Sequence, residues 1–341
     1  MNTFFTLAIF SCFICKARSQ AQGPEMIEIN PAAITYSKKL SFAHININDS
    51  RYDTTKIGYA PKGNSHKKLT VEPAFSTGIQ NSLNTSLRSN FDMSNENSLL
   101  IVIKKFWIKN AFLKKQTEYG SQCIVKLELY LNKDSAYFPL IRIDTIFTHD
   151  DPLKTNGSQL VMLPFEQSLI QLEKINFEKV LSSRKLWWKD IEEFNGVRFR
   201  KPIYSAILQK GMYLTFKDFL ENRPDNRPFE INFGKLTDQL YLTGEDDKKV
   251  FTEFWAVYDG NKLYINSGLN FYELVRTDKG FEFWGNEEVI RHSSQPTFRS
   301  ESNSAESIAK GMANYGMEKV LSTKKNSLKP FQVNMENGTV Y

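Results

Sequence analysis

Three consecutive segments between residues 98 and 147 constrain this chain most strongly. Ser98 to Ile108 is almost continuously apolar as far as Ile103, as a central strand would be. Cys123 to Leu131 alternates through Cys123, Val125, Leu127 and Leu129, and Tyr137 to Phe147 places Ile141, Ile143 and Thr145 on one face. Three successive strands of this kind form an antiparallel sheet, and its apolar face must be covered. The spacing supplies two covers. Val71, Phe75, Ile79, Leu83, Leu87 and Phe91 recur every four residues, with Pro73 suited to a first helical turn and Gly78 weakening the interior. Pro164 to Leu181 repeats the period through Phe165, Leu169, Leu172, Asn176 and Val180. A strand from Ser41, with Ala43, Ile45 and Ile47 on one side, ends at Asn48-Asp49-Ser50, a turn composition. Residues 22–40 read as an irregular lead-in and Pro61 to Ser65 as a loop. The first half is therefore β-α-β-β-β-α, an α+β arrangement with two helices on an antiparallel sheet.

The second half has a different texture. Ser182-Ser183-Arg184 closes the second helix in a small polar stretch and marks a domain boundary. Thr215 and Asp218 match a capping box opening a short helix that must stop before Pro224. Short strands follow at Phe229–Phe233, Gln239–Thr243, Val250–Tyr258, Lys262–Asn266, Phe271–Arg276 and Phe281–Trp284. Asp259-Gly260 and Asp278-Lys279-Gly280 supply residues that tolerate tight hairpin turns. This pattern is an antiparallel β-meander with a short helix. Residues 293–304 read as a Ser-rich linker, Glu306 to Leu321 as a helix, and Phe331 to Tyr341 as a final hairpin around Asn337-Gly338. The domains expected are an α+β unit over 22–184 and a meander-rich unit over 185–341. Aromatic residues, 13% of the chain with 26 Phe and 14 Tyr, suit pleated cores.

Residues 1–21 read as a signal peptide rather than as part of the fold. Phe4 to Cys15 is one apolar run, Lys16 and Arg18 follow, and Ser19-Gln20-Ala21 offers small residues at a cleavage site. Lipidation at Cys12 or Cys15 lacks a Leu three residues earlier. Removing the leader takes Lys16 and Arg18 and no acid, so the formal charge falls from +6 to +4. Acids and bases are interspersed, so no nucleic-acid footprint is present. Only Cys123 then remains, a buried small hydrophobe by its place in the alternation. No later segment has the length and apolarity of a transmembrane helix.

Reactive constellations are scarce. His44, His66, His149 and His292 are far apart in sequence, and HExxH, CxxC, GxSxG, GxxxxGK[ST] and GxGxxG patterns are absent, so neither metal nor cofactor is expected. His149-Asp150-Asp151 reads as a strand end before Pro152, or as a carboxylate-oriented base. Asp49, Arg51 and Asp53 read as a salt-bridged turn or, alternatively, a binding site, and Glu192-Glu193 and Asp246-Asp247 as solvated surface. The aromatics are the best binding candidates: Trp187, Trp188, Trp255, Tyr258, Tyr264 and Trp284. They read either as core packing or as a surface that stacks on a sugar or anchors a partner. Adjacent Trp187 and Trp188 are hard to bury together, because neighbours on a strand point to opposite faces.

Two stretches resemble exported bacterial proteins. Asp49-x-Arg51-Tyr52-Asp53, Ile57-Gly58-Tyr59, the amphipathic helix and the Leu99–Ile103 strand resemble the opening of YajG-type and outer-membrane-assembly lipoproteins, over residues 41–148. Lys210-Gly211-Met212-Tyr213-Leu214-Thr215-Phe216 with Trp255-Ala256-Val257-Tyr258-Asp259-Gly260 is similar to uncharacterised exported proteins of Bacteroidetes, over 205–285. The resemblance implies a periplasmic or outer-envelope location and no family activity. The expectation is an exported, non-enzymatic envelope protein that binds a protein or envelope partner. The alternative is a carbohydrate- or small-molecule-binding module that uses the meander's aromatics.

Overall fold

The computed structural model describes residues 24–62, 65–112, 119–149, 153–234, 237–243, 249–268, 270–286 and 328–341. The first half contributes strands β1 (Glu25–Glu28), β2 (His44–Asp49), β3 (Gly58–Lys62), β4 (Ser65–Glu72), β5 (Ser98–Phe112), β6 (Tyr119–Lys133) and β7 (Ala136–His149). Helices α1 (Phe75–Ser86) and α2 (Leu153–Leu172) cover one face, and α3 (Phe177–Leu181), α4 (Trp188–Gly196) and α5 (Pro202–Ser205) follow. The sheet order is β1-β4-β3-β5-β6-β7, with β2 beside the first part of β5. β5, β6 and β7 form the expected antiparallel unit and run several residues longer than their sequence patterns. The sheet as a whole is mixed, because β2 lies parallel to β5 and β1 parallel to β4. The β3–β4 hairpin and α1 return the chain to the end where β2 began, so β5 runs in the direction of β2.

The covered face is one core. Ile101, Ile103, Cys123, Val125, Leu127 and Leu129 of the sheet meet Ile79, Leu83, Leu160, Phe165 and Leu169 of the helices, all buried. Burial pushes the Cys123 thiol well above its ordinary pKa, as befits a small hydrophobe. α2 begins well before Pro164, which was expected in its first turn. An interior proline costs about 3 kcal/mol. Burying Leu160, Val161 and Met162 on the sheet contributes about 1.5–3 kcal/mol each, which outweighs that cost. The expected single helix over 164–181 is broken, because the Asn176 side chain accepts a hydrogen bond from the Lys179 N–H and caps α3. Val71 lies on β4 and not on α1; strand and helix continue one spacing only because both pack on the same core. β1 lies in the stretch read as lead-in, while β3 and β4 take in the two ends of the stretch read as a loop and extend beyond it. β1 buries Ile27 alone, β4 only Leu69 and Val71, and β3 the consecutive Gly58, Tyr59 and Ala60, so none of the three shows a long alternation.

The second half is the expected α+β continuation with an antiparallel meander. β8 (Gly211–Tyr213), α6 (Phe216–Leu220), β9 (Phe229–Phe233), β10 (Asp238–Thr243), β11 (Lys249–Phe251), β12 (Ala256–Tyr258), β13 (Leu263–Asn266), β14 (Phe271–Arg276), β15 (Phe281–Asn286) and β16 (Leu328–Gln332) complete the described elements. One sheet runs β16-β15-β14-β13-β12-β8 and a smaller one β11-β10-β9. Tyr213, Phe219, Ile265, Phe281 and Phe283 fill one face of the larger sheet, and Met212, Val257 and Phe271 meet Leu240 and Leu242 of the smaller on the other. Thr215 and Asp218 form the expected reciprocal cap of α6. The segment read as one strand from Val250 to Tyr258 divides between the two sheets as β11 and β12. A tight turn closes the chain at Asn334 to Thr339, with Gly338 at φ 78°. The linker at 293–304, the helix at 306–321 and the leader at 1–21 lie outside the described residues. Among the described residues no helix is long and apolar enough to cross a membrane.

Gly58 marks the point where β3 meets β5. It has φ 151°, and a Cβ there would lie 2.1 Å from the Ile108 carbonyl oxygen. Gly58→Ala is expected to destabilise the protein by about 3 kcal/mol, because both backbone conformation and strand spacing must shift. Chemical denaturation measures this directly, and an unchanged midpoint contradicts it.

Candidate functional site

The second half docks on the sheet face that α1 and α2 leave open. Strand alternation supplies one side of this seam. Along β15, Phe281 and Phe283 point into the meander core, so Glu282 and Trp284 point out of it and meet the sheet. The other side begins in the loop after β2. Asp49 holds the Arg51 guanidinium through two hydrogen bonds of 2.8 Å, and Arg51 Nη1 donates to the Lys56 carbonyl at 2.7 Å. Asp53 Oδ1 accepts from the backbone N–H and hydroxyl of Thr55. Lys56 Nζ then lies 2.7 Å from Asp53 Oδ2 and 2.9 Å from Glu282 Oε2, so its charge is shared by carboxylates of both halves. The Tyr59 hydroxyl donates to Glu282 at 3.0 Å. Arg51, Asp53 and Lys56 are all buried, so the Asp49-x-Arg51-x-Asp53 turn is structural, as its sequence suggested.

A β-bulge arms the centre of the seam. The β5–β6 register shifts between Ile103 and Lys105, which puts the consecutive Lys104 and Lys105 on the same open face. Lys104 pairs with Glu128 at 2.8 Å and lies 4.2 Å from the Phe194 ring centre. Lys105 Nζ sits 3.6 Å from the Tyr341 ring centre, and burial pulls its pKa down to about 8. Glu336, beside the last turn, pairs with Lys126 and lies 3.6 Å from Arg198. Burial raises the pKa of Asp53, Glu128 and Glu336. In each the hydrogen-bonding cation outweighs it, and the carboxyl ends below its ordinary value. Tyr59, Trp107, Trp284 and His66 extend the seam as edge-on rings 5.5–5.8 Å apart. Between Lys105, Lys126, Glu336 and Tyr341 a cleft remains. Its space open to the centre of a water molecule is about 20 Å³, room for a water and not for an organic ligand.

The six aromatic candidates do not converge. Trp187 and Trp188 are 51% and 36% exposed at the start of α4, where the Trp187 N–H donates to Asp190 at 2.7 Å. Trp188 packs on Tyr137 of β7, and Lys185 lies 5.3 Å from the Trp187 ring. α4 is seated by Ile191 on Leu100, Val102 and Tyr130 of the sheet. Trp284 belongs to the seam at β3, three strand positions and roughly 14 Å across the sheet from β7. Trp255 packs within the meander core against Phe216 and Phe219. The Tyr258 hydroxyl donates to the Gly260 carbonyl, and Tyr264 packs on Phe233. His149 ends β7 opposite Ser121, while Asp150, Asp151, Asp246 and Asp247 lie outside the described residues. Glu192 and Glu193 are exposed on α4. Among the described residues no cluster of three His, Cys, Asp or Glu side chains is arranged to hold a metal. Sequence reasoning passed over Lys56, Tyr59, Lys105, Glu282 and Glu336. The one available signal was Lys104-Lys105, two consecutive charges inside an apolar strand, which a bulge accommodates.

No protein-family model matches the chain, and no curated protein matches it. Among solved structures, the crystal structure of protein XCC0632 from Xanthomonas campestris, of the family DUF330, is similar over 47% of this chain and 94% of that one. The identity is 10% and the TM-score 0.27, too low to carry an argument about fold or activity.

Two outcomes follow for the seam. Lys56→Met leaves the buried Asp53 and the partly buried Glu282 without their cation and is expected to cost about 3–5 kcal/mol, read by denaturant unfolding; a loss below about 1 kcal/mol contradicts the assigned role. A carboxyl whose pKa is lowered by folding stabilises above its unfolded value and loses that contribution as pH falls through its folded value. Stability is therefore expected to decline from about pH 4 downward, where unfolded Asp and Glu titrate. Glu336→Gln should lower stability at neutral pH and flatten that decline, measured by thermal unfolding across pH 2–7.

Proposed function

We propose that this chain is an exported cell-envelope protein, periplasmic or associated with the outer envelope, that works by binding a protein or envelope partner. The reading extends the sequence resemblance to exported proteins of Bacteroidetes and to YajG-type lipoproteins, together with the leader-like first 21 residues. The observation that carries the binding role is the pair Trp187 and Trp188. Two adjacent indoles are presented outward, and their backbone is fixed by the Asp190 cap. Aromatic residues anchor partners at low entropic cost, since few rotamers must be frozen. The seam supports the same reading, because its charged groups pair with one another across the two halves. A glycan partner is the alternative, favoured by the same exposed indoles.

The test is photo-crosslinking in the native envelope fraction, with a crosslinker at Lys189 beside the pair. The double variant Trp187→Ala/Trp188→Ala is expected to weaken adduct formation by at least about thirtyfold, the scale of an aromatic anchor. Its thermal midpoint should stay within about 4 °C of the parent, because Trp187 is half exposed and the ring contact that Trp188 gives up is the one with Tyr137. Absence of any adduct, together with Trp emission unmoved by glycans, defeats both forms of the proposal.

A further inference from the structure

β7 is an edge strand with an unusual charge pattern. Among the described residues it pairs with β6 along its length and, on its other side, with Leu186 at Tyr137. From Pro139 onward no described strand lies beside that second side. A row of outward N–H and C=O groups is a template for another strand. Irregular pairing with β6 between Leu129 and Tyr130 sets Leu140 out of register, so the regular part of the edge is Ile141-Arg142-Ile143-Asp144-Thr145-Ile146-Phe147.

We infer that this edge pairs with the same edge of a second copy, antiparallel and centred on Ile143, joining two sheets into one. The charges choose the partner and the register. Opposed residues in an antiparallel pair share a face, so only registers that place even positions opposite even positions keep the α1–α2 layers of both copies on one side. With Ile143 opposite Ile143, Arg142 of each copy faces Asp144 of the other, and Ile141 faces Thr145. Moving the register by one step of this kind sets Arg142 against Arg142 or Asp144 against Asp144, and like charges directly opposite destabilise. One register alone thus satisfies both charges twice. The side chains are placed for it: Arg142 is 55% exposed and Asp144 61%. Arg142 holds Glu128 through Nε and Nη2, which leaves Nη1 for an incoming carboxylate. Asp144 has Lys126 only at 3.8 Å. Ile146, 54% exposed on the same face, gains cover in the joined sheet. Edge charges also serve in other proteins to block strand pairing; complementarity in a single self-paired register distinguishes the two roles.

Sedimentation equilibrium on the full chain between about 5 and 300 µM tests this. The expected result is a reversible dimer with Kd of about 10–100 µM, the weak range of small interfaces. Asp144→Arg and Arg142→Asp, each alone, should weaken self-association at least tenfold. An equimolar mixture of the two variants should restore it, because every cross pair is then Arg against Asp. Amide exchange along residues 141–147 should slow with concentration in the parent chain, a readout that needs no variant. A chain that stays monomeric at about 300 µM overturns the inference, as do single variants that associate like the parent, a mixture no tighter than either variant, or edge amides indifferent to concentration. Circular dichroism of each variant confirms its fold, and the amide readout decides alone where a variant is unfolded.

Discussion

A lysine without access to water holds the two halves of this protein together. Lys56 lies between Asp53, three residues away, and Glu282, from the far half of the chain. Burying a charge is expensive unless it is paired and hydrogen-bonded, so the arrangement has a single good geometry. Every neighbouring feature serves it. Arg51 fixes the Lys56 carbonyl, Thr55 fixes Asp53, and the Tyr59 hydroxyl donates to Glu282. An apolar contact would tolerate sliding by a residue; this one does not, and it therefore sets how the meander sits on the sheet. Its contribution lies in specificity more than in stability, since a buried ion pair gains little over a well-packed apolar isostere.

The bulge at Lys104 extends the same logic. A regular strand would send Lys104 and Lys105 to opposite faces and drive one ammonium into the helix-covered core. The extra residue keeps both on the open face, where Glu128 neutralises one and the Tyr341 ring receives the other. The face so charged is then covered, and its carboxylates acquire lowered pKa values because their cations cannot retreat into water. The site is thus a consequence of assembly: polar groups concentrate at the surface where two apolar bodies meet, and the exposed aromatics Trp187 and Trp188 stand at its margin.

The long elements were legible in the residues. β6 and β7 announce themselves because burial of one face writes a period of two into many positions, and β5 because both its faces are buried and the run is almost continuously apolar. The meander turns were legible because glycine and aspartate answer local backbone demands. β1, β3 and β4 were not, since none carries a long alternation of buried and exposed positions. The break at Asn176 was hidden because an asparagine fits a helix face and a helix cap equally in spacing, and only its side-chain partner tells them apart. Of the candidate site, the Asp49–Asp53 turn was readable as a local ion pair. Trp187 and Trp188 read as strand neighbours on opposite faces; they stand instead at the opening of α4, and their exposure comes from that position.

What the sequence determined by itself is therefore local and periodic: which segments are strands and helices, which faces are apolar, and that the class is α+β with an antiparallel meander. The tertiary structure decided which charges meet. Lys56 and Glu282 stand more than two hundred positions apart, and no local propensity relates them. Backbone conformation responds to neighbours within a few residues, whereas a Coulombic pair depends on distance in space, which exists only after the chain has folded.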